Sequence, residues 1–478
     1  MAGIHEPLPE LAPENLSGLR VLIFGLGSFG GGAGAARFFC ERGAEVSVTD
    51  LRSRSQLASS VADLERLGVR RWCLGEHREQ DFECQDWVVV NPAIPPGNHF
   101  LKIARAAGAR LVTELGLFLR WCPSPFICGV TGTNGKSTTV RLVHNMLHES
   151  QIPVHLGGNI GTSLLPEVAE IGAADRVVLE ISSFQLERLE AETPRPPAVA
   201  ITQFSRNHLD WHGSEGAYLR AKEKIFTFPR VDGPSAAVLP LACRYYSRWS
   251  QLARRPVMAF HGEQVPRGGV GYQKGWLVLD LSGTPLRVVE MRTTLLRGAP
   301  HLNNAACAAA LAMSLGAHPQ AMVEALRKFR PLPHRQELVA EGQALRFVND
   351  SKATTPEATL GALEAFGPNV VLLAGGSSKE EDFQALGHGT CKHARAVVVF
   401  GETALAIEHT LLKAGFARER LRRAPDLALA FVEASRMARP GDTVLLSPAC
   451  ASYDQYGNYE ERGVHFRTLA REWCHKKG

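Results

Sequence analysis

The chain has 478 residues, of which 45% are hydrophobic and 21% charged, and its formal net charge is +5. This composition is typical of a globular protein with about two to four domains, and it excludes a disordered, collagen-like or coiled-coil chain. The small excess of positive charge gives no argument for nucleic-acid binding.

Compartment and redox state are indicated by two absences from the sequence. No basic segment followed by an apolar one opens the chain, and no apolar run reaches the ~18 residues of a membrane helix. None of the ten cysteines forms a C-x-x-C pair. We therefore expect a cytoplasmic protein with reduced thiols and no membrane insertion.

Strand-like apolar runs alternate with helical patterns along the whole chain. Runs of Val, Ile and Leu that end in Gly, Asn, Asp or Ser are typical of parallel strands buried on both faces. The sequence therefore predicts an α/β fold with several doubly wound sheets, whose ligands bind beyond the carboxyl ends of the strands. The predicted strands are 20–25, 44–50, 86–92, 126–132, 176–182, 198–202, 369–376, 396–401 and 442–448.

Two segments are candidate domain boundaries. A helical stretch ends in WCPSP within 114–125, and a proline-rich linker occupies 330–333. The irregular region 229–297 is expected to form hairpins at the edge of the middle domain.

The first predicted strand runs into a glycine loop, GLGSFG (25–30), and Asp50 ends the next strand. The G-x-G-x-x-G spacing suits a diphosphate at a helix N-terminus, with the acid on a ribose hydroxyl. Three interpretations stay open here: NAD, another nucleotide diphosphate, or glycines needed only for packing.

A second glycine loop, TGTNGKSTT (131–139), lies between a strand and a helix. Such loops bind phosphates through backbone N–H groups, with Lys136 on the β- and γ-phosphates and Ser137 on Mg²⁺. Valine stands at 130, where the strict motif has glycine, so the loop is a variant that predicts ATP or GTP binding.

Polar residues near the ends of later strands are candidates for chemistry. Glu180 ends a buried strand, where a carboxylate needs a partner such as Mg²⁺ or a basic side chain. His208 follows the strand 198–202 in the same way. Lys222 and Lys224 lie on a probable helix, and the sequence by itself selects neither.

The last third of the chain contains a further group of polar residues. Arg335 could bind a phosphate, Lys352 could neutralise a transferred phosphate, and Asp350 could accept a ribose or a metal-bound water. The segment 445–463 is rich in small polar and aromatic residues, as loops that form substrate pockets often are.

Eight segments resemble the Mur ligase family, the amide-forming enzymes of peptidoglycan precursor synthesis. They appear in the family's order and span nearly the whole chain, and the tail 447–463 and NDSKAT (349–354) most resemble the D-glutamate-adding branch. The segments are TGTNGKST, GGNIG, LEISSFQLE, NHLDWHG, AKEKIF, PHR, NDSKATTP and SPACASYDQY.

The resemblance implies three domains: a Rossmann-like UDP-binding domain (1–117), a central ATP-binding domain with a parallel sheet (118–331) and a Rossmann-like amino-acid-binding domain (332–478). It also implies that ATP activates the carboxylate of UDP-N-acetylmuramoyl-L-alanine as an acyl phosphate, which D-glutamate then attacks. Small-molecule substrates, no nucleic acid and a monomer are expected.

Site residues are carried over by motif from the same resemblance. Catalysis is assigned to Lys136, Glu180, His208, Lys222 and Lys352, and ATP binding to Gly132, Thr133, Asn134, Gly135, Lys136, Ser137, Thr138, Asn304, Arg335 and Asp350. The UDP-substrate is assigned to Gly27, Ser28, Phe29, Asp50, Arg52, Asn159, Ser182 and Gln185. D-Glutamate is assigned to Lys352, Thr354, Lys379, Ser452, Tyr453 and Tyr459. Two Mg²⁺ ions are assigned to Ser137, Glu180, His208 and Lys222, with Lys222 carbamylated.

Three other functions remain as alternatives. The chain could be another amino-acid ligase of the same family, an NAD-dependent dehydrogenase that uses the first glycine loop, or a catalytically silent nucleotide-binding regulator. A regulator has no need for Glu180, Lys222 and His208 to lie close to the Lys136 loop, so their positions discriminate.

Overall fold

The computed structural model describes residues 12–27, 30–69, 71–227, 232–280, 283–378 and 382–477. Contacts divide the chain into two compact units. One lies within Met1–Glu290 and Asn303–Arg327, and the other within Met291–Leu302 and Lys328–Gly478. Three domains, each with its own sheet, make up the described chain, and the first two belong to the first unit.

The first domain has a five-stranded parallel sheet in the order β3-β2-β1-β4-β5. The order reverses between β1 and β4, so the loops after these two strands border the crevice where doubly wound sheets bind ligands. The strands are β1 (Arg20–Phe24), β2 (Glu45–Asp50), β3 (Arg71–Leu74), β4 (Trp87–Val90) and β5 (Arg110–Val112). The helices are α1 (Gly31–Glu41), α2 (Ala58–Arg66), α3 (Gln80–Glu83), α4 (His99–Ala106) and α5 (Glu114–Trp121).

The middle domain has a nine-stranded sheet in the order β14-β13-β12-β11-β10-β9-β6-β8-β7. Its strands are β6 (Ile127–Thr131), β7 (Val154–Gly158), β8 (Arg176–Glu180), β9 (Ala198–Ile201), β10 (Ala236–Pro240), β11 (Val257–Phe260), β12 (Gly269–Gln273), β13 (Trp276–Asp280) and β14 (Leu286–Glu290). Its helices are α6 (Lys136–Glu149), α7 (Ser183–Arg188), α8 (Leu209–His212), α9 (Glu215–Glu223), α10 (Tyr246–Ala253), α11 (Gly298–Ser314) and α12 (Pro319–Lys328).

Central strand β6 lies between β8 and β9 in this sheet, and all three run parallel. Their carboxyl ends therefore meet at one edge, which gathers the second glycine loop, Glu180 and the segment after β9. The expected hairpins are present, because β12, β13 and β14 pair antiparallel at the sheet edge. The same region also contains β10 and β11, which extend the parallel part of the sheet and were not predicted.

The third domain has a six-stranded sheet in the order β15-β16-β20-β17-β18-β19. Among the strands described in this domain, only β15 and β16 pair antiparallel. The strands are β15 (Glu337–Gly342), β16 (Leu345–Asn349), β17 (Val370–Gly375), β18 (Ala394–Phe400), β19 (Leu421–Ala424) and β20 (Thr443–Leu446). The helices are α13 (Pro356–Phe366), α14 (Gln384–His393), α15 (Ala404–Lys413), α16 (Leu427–Met437) and α17 (Tyr459–Lys477).

The strands form because their apolar runs are buried on both faces. Strand β6 is buried along its whole length, and so are β9, β10 and β17. Helix starts follow local capping signals: the side chains of Asn98 and Thr113 accept hydrogen bonds from the first turns of α4 and α5. The predicted α/β fold with three sheets is confirmed.

Two further expectations concern the whole chain. All ten cysteines lie within the described residues, and none of them forms a disulfide. Among the described residues, no helix combines the length and the apolar character that crossing a bilayer requires.

Candidate active site

The second glycine loop connects β6 to α6. Gly135 caps the helix in the left-handed conformation (φ 85°), and a Cβ atom there would lie 2.2 Å from Asn304 Oδ1. Only glycine meets both conditions, so this side of the loop is in close contact with Asn304. The Lys136 ammonium folds back and donates to the carbonyl oxygens of Gly132 (2.9 Å) and Thr133 (3.0 Å).

Two lysine ammonium groups meet at one oxygen of this loop. Lys222 Nζ donates to Gly132 O at 2.9 Å, the same oxygen that Lys136 contacts. The Lys222 side chain is 1% exposed. Burial and the neighbouring Lys136 charge lower the pKa of Lys222 well below its ordinary value, although Glu180 opposes this shift.

Helix α9 positions Lys222 and also supports the loop. Tyr218, one turn earlier, places its ring 4.5 Å below Lys222 Nζ and its hydroxyl 3.1 Å from Thr133 Oγ1. Lys224 has a different environment, because its ammonium pairs with Glu187 at 2.9 Å. The structure thus gives different environments to two lysines that residue patterns alone left equivalent and between which the family resemblance selected Lys222.

Glu180 ends β8 and is 2% exposed. Its Oε1 atom accepts a hydrogen bond from Asn159 Nδ2 at 3.0 Å. Its Oε2 atom is buried and has no hydrogen-bond partner within the described chain. A buried carboxylate oxygen without a donor is unfavourable unless a cation approaches it, so this atom fits a metal ligand.

His208 follows β9 in the left-handed conformation (φ 53°). Its ring packs against Phe184 and Tyr218, with centroid distances of 4.9 and 6.0 Å. Although part of the residue stays exposed, desolvation lowers its pKa to about 4, reinforced by the charges of Lys136 and Lys222. The imidazole is therefore neutral, which is the state a metal ligand needs.

The predicted catalytic residues of the middle domain thus converge. Glu180, Lys222 and His208 all lie at the Lys136 loop, as expected of an enzyme and not of a silent regulator. No three His, Cys, Asp or Glu side chains cluster as a metal site among the described residues. The predicted ligand set is compatible with this, because it takes a hydroxyl from Ser137 and a modified lysine.

The predicted substrate residues Ser182 and Gln185 have a structural task in this structure. They form a capping box at the start of α7, in which Ser182 Oγ accepts from Gln185 N (3.2 Å) and Gln185 Oε1 accepts from Ser182 N (2.9 Å). Both residues are nearly buried. Their contact with a substrate stays a prediction.

At the first glycine loop, Asp50 is a structural anchor. Its carboxylate accepts from the Leu26 N–H at 2.9 Å and from the Arg52 guanidinium at 3.0 Å. Burial opposes ionisation of Asp50, but Arg52 and the backbone donors outweigh burial and hold its pKa below the ordinary value. Asn91, after β4, donates to Gly25 O at 3.3 Å. Ser28 and Phe29 lie outside the described residues.

In the third domain, Asp350 and Lys352 follow β16. Asp350 accepts from Ser447 Oγ (2.9 Å) and the Gln336 N–H (3.1 Å), and burial raises its pKa to about 7. Lys352 Nζ lies 3.6 Å from the centre of the Tyr459 ring. The preceding Arg335 contributes a positive charge that lowers the pKa of Asp350.

Other predicted D-glutamate residues lie around the same loops. Ser452 is 2% exposed and Tyr453 is 68% exposed, while the N–H of Tyr453 donates to Ser377 Oγ at 3.2 Å. The N–H of Thr354 donates to the Lys352 carbonyl at 2.9 Å. Lys379 lies outside the described residues.

Arg462 holds these loops together and was not predicted. It is fully buried, and its guanidinium donates to Ser351 Oγ (3.0 Å), Ser351 O (2.9 Å), Ala451 O (3.0 Å) and Cys450 O (3.1 Å). It thus joins the loop after β16 to the loop after β20. The only signal in the sequence was its place within the matched tail.

Tyr218 and Thr202 were also missed. Thr202 Oγ1 donates to Asn134 O at 2.5 Å and so fixes the second glycine loop to the end of β9. Tyr218 could have been found from its spacing, because it lies four residues before Lys222 and residues four apart on a helix share a face. Nothing in the sequence marks Thr202.

Three family models match this chain. Residues 19–113 match the Mur ligase MurD-like N-terminal domain, residues 130–312 the Mur ligase middle domain, and residues 334–450 the Mur ligase glutamate ligase domain. Among similar proteins, the UDP-N-acetylmuramoylalanine--D-glutamate ligase of Roseiflexus sp. (strain RS-1) is 38% identical, over 96% of this chain and 99% of that protein. The ligase of the same name from Anaeromyxobacter dehalogenans (strain 2CP-C) is 37% identical, over 96% and 99%.

Solved structures share the fold at lower identity. A UDP-N-acetylmuramate-alanine ligase from Thermotoga maritima has a TM-score of 0.60 and 19% identity, covering 95% of this chain and all of that one. A pseudomurein peptide ligase type C from Methanothermus fervidus has a TM-score of 0.60 and 18% identity with the same coverage.

Proposed function

The chain belongs to the Mur ligase family, and from this we propose that it is the ATP-dependent ligase that adds D-glutamate to UDP-N-acetylmuramoyl-L-alanine. The new bond is an amide, and the product is a cytoplasmic precursor of peptidoglycan. Similar proteins that carry this activity in their names extend over nearly the whole chain. One observation carries the proposal: Lys136, Lys222, Glu180 and His208 lie together at the second glycine loop (131–139), which we name the phosphate loop.

The phosphate loop would bind ATP through its backbone N–H groups and Lys136. In the structure Lys136 Nζ is held by two loop carbonyls, so it would exchange these contacts for phosphate oxygens. The N-terminus of α6 lies at the same place, and the positive end of a helix dipole favours bound anions. The remaining ATP contacts are assigned to Gly132, Thr133, Asn134, Gly135, Ser137, Thr138 and Asn304, and in the third domain to Arg335 and Asp350.

Two Mg²⁺ ions would be held by Ser137 with Glu180 and by His208 with Lys222. When bound, Mg²⁺ neutralises the charge of the phosphates and of the reacting oxygens. Glu180 Oε2 offers an unshared buried oxygen for this task. Lys222 would act as a carbamate, because its buried amine loses its proton readily and a neutral amine can add CO₂ to give a carboxylate.

The reaction would proceed in two balanced steps. A carboxylate oxygen of the substrate's alanine attacks the γ-phosphorus, the bond to the β-phosphate oxygen breaks, and ADP leaves. The neutral amine of D-glutamate then attacks the acyl carbon, loses a proton, and inorganic phosphate departs. Positioning and charge neutralisation supply most of the catalysis in such transfers, and Lys352 would contribute the charge on the D-glutamate side.

The first domain would hold the UDP end of the substrate. Gly27, Ser28 and Phe29 would contact the diphosphate, and Asp50 with Arg52 the uridine. This use of the first glycine loop replaces NAD, because a chain that takes its energy from ATP needs no hydride carrier.

Asn159, Ser182 and Gln185 would contact the muramoyl group. Thr354, Lys379, Ser452, Tyr453 and Tyr459 would line the D-glutamate site. All substrates are small molecules, and we infer a monomer.

An amino-acid panel tests the proposal. We expect phosphate release from ATP only when UDP-N-acetylmuramoyl-L-alanine and D-glutamate are both present. Release with L-lysine or diaminopimelate in place of D-glutamate would assign the chain to a sister ligase. Tight NADH binding with no ATP binding would support the dehydrogenase instead.

A further inference from the structure

The turn after β7 lies between the first domain and Glu180. It is closed by a hydrogen bond from the N–H of Gly158 to the carbonyl of Thr162 at 3.0 Å. We name this turn, residues 158–163, the bridging turn. Each of its ends makes a specific polar contact, one to the middle-domain site and one to the first domain.

One end of the bridging turn holds the candidate metal ligand. The N–H of Asn159 donates to Glu180 O at 2.9 Å, and its side-chain amide donates to Glu180 Oε1 at 3.0 Å. The position of this turn therefore fixes the rotamer of Glu180 and leaves Oε2 available.

The other end contacts the first domain through a carboxyl group. Ser163 Oγ donates to Glu114 Oε1 at 2.5 Å and accepts from the N–H of Leu165 at 3.3 Å. Glu114 is the first residue of α5, 49 residues earlier in the chain. Burial raises the pKa of Glu114 to about 7, opposed by the Ser163 hydroxyl.

Helix α1, which follows the first glycine loop, touches the same turn. A Cβ atom on Gly34 would lie 2.4 Å from Ser163 Cβ, and one on Gly30 would lie 2.9 Å from Gly161 O. A Cβ on Gly31 would lie 3.7 Å from Glu114 Oε2. The glycines of α1 thus allow a close approach that the Glu114–Ser163 hydrogen bond then holds.

This arrangement is unfavourable for stability alone. No salt bridge reaches Glu114 from the described residues, and its one side-chain partner is a neutral hydroxyl. Glu114 is half-buried, and a carboxyl partly withdrawn from water without a charged partner is usually less stable than an apolar side chain of similar size. A carboxyl at this position therefore points to a role beyond packing.

We propose that Glu114 is a positioning residue, which through Ser163 and the bridging turn keeps Gly30 and helix α1 in register with Glu180. The inference rests on the proposed function, because it links the binding site assigned to the UDP-substrate with the site assigned to ATP and metal. A misplaced turn would shift the substrate carboxylate relative to the γ-phosphate, and small displacements of this kind reduce rates strongly.

The test compares Glu114→Ala, Glu114→Gln and Ser163→Ala in the full-length enzyme. We expect Glu114→Ala to raise KM for the UDP-substrate about tenfold and to lower kcat, as the loss of one part-buried hydrogen bond allows. KM for D-glutamate should stay unchanged. Glu114→Gln keeps an oxygen that accepts the Ser163 hydroxyl and should recover most of the loss. Adding Ser163→Ala to Glu114→Ala should cost little more than the larger single effect.

The matched control is Glu41→Ala, which removes an exposed carboxylate at the far end of α1 and should leave both constants unchanged. Gly34→Ala is a second probe, since it pushes Ser163 away without removing a polar group. It should also raise KM for the UDP-substrate, whereas Gly97→Ala, which meets no atom within 4 Å, should not.

Two results would overturn the positioning role. In one, the fold-increases in KM caused by Glu114→Ala and by Ser163→Ala multiply in the double variant, as those of independent changes do. In the other, Glu114→Ala lowers Tm and leaves KM and kcat as they were. If the unmodified enzyme itself shows no turnover with both substrates, the proposed function fails and this inference fails with it. Turnover in the unmodified enzyme with normal constants in Glu114→Ala contradicts the inference alone.

Discussion

At the residue scale, the environment of a side chain decides its chemistry. Lys222 and Lys224 are two positions apart, yet one donates to the phosphate loop from a buried position and the other forms an ion pair with Glu187. A lysine amine excluded from water loses its proton more easily than one at the surface. The two lysines therefore offer a matched comparison.

Replacing Lys222 tests the carbamate. We expect Lys222→Ala to lower kcat by about a hundredfold, since loss of a group that organises a metal site has effects of this size. Added formate or acetate should restore part of the rate, measured as phosphate release, by supplying the missing carboxylate. Lys224→Ala is the control and should keep a near-normal rate. A near-normal rate in Lys222→Ala would contradict the carbamate role.

Asp350 gives a prediction for pH. Burial raises the pKa of its carboxyl from 3.8 to about 7 in the folded protein. Between these values the unfolded chain ionises this group and the folded chain does not, so its contribution to stability is lost as pH rises through about 7. Asp350→Asn cannot ionise.

The Tm of Asp350→Asn, measured without ATP, should therefore exceed the Tm of the unmodified protein by more at pH 8 than at pH 5. The exposed carboxylate of Glu341 lies on the neighbouring strand β15, and Glu341→Gln should show no such difference. An equal Tm shift of Asp350→Asn at both pH values would show that Asp350 ionises normally in the folded state.

At the scale of elements, strand order explains why the sites form. Parallel strands place their carboxyl ends on one edge of a sheet, and β16 and β20 are neighbours in the third domain. The loops that follow them are far apart in sequence and close in space. Arg462, from the last helix, then joins the two loops through backbone and hydroxyl oxygens.

We expect Arg462→Lys to raise KM for D-glutamate about tenfold, because an ammonium cannot reproduce the planar arrangement of donors. KM for the UDP-substrate should change little, and this difference separates loop positioning from a general loss of folded protein. Arg471→Lys, an exposed change on the same helix, is the control. Equal increases in both KM values would contradict the loop-positioning role of Arg462.

At the scale of the whole molecule, three sheets divide the work. The first carries the loop assigned to the UDP-substrate, the second the loop assigned to ATP, and the third the loops assigned to D-glutamate. Buried residues of the first and middle domains form one hydrophobic cluster, whereas the third domain has clusters of its own. The assigned loops still lie at the ends of different sheets, so binding of one substrate should be separable from binding of another.

Lys136→Ala tests this separation. We expect Lys136→Ala to abolish most turnover, because the positive charge that would contact the ATP phosphates is lost. The affinity for the UDP-substrate, measured by calorimetry, should stay unchanged. Arg141→Ala, an exposed basic residue one turn further along α6, should alter neither quantity. An equal loss of UDP-substrate affinity in Lys136→Ala would contradict the assignment of the loop to ATP.

The sequence by itself determined the fold class, the phosphate loop and the identity of most candidate residues. These features are local, because a buried strand, a glycine turn and a helix start are each encoded within a few neighbouring residues. Strands β10 and β11 were not predicted, because β10 is placed by pairing with β9 and β11 by pairing with β10, and such pairings are not visible in a local pattern.

Only the tertiary structure decided which lysine is buried, how Arg462 joins two loops and that Glu114 meets Ser163. Each depends on contacts between segments far apart in the chain, such as the 90 residues between Lys222 and Gly132. Desolvation and hydrogen-bond geometry exist only after the sheets bring those segments together, so no local pattern encodes them.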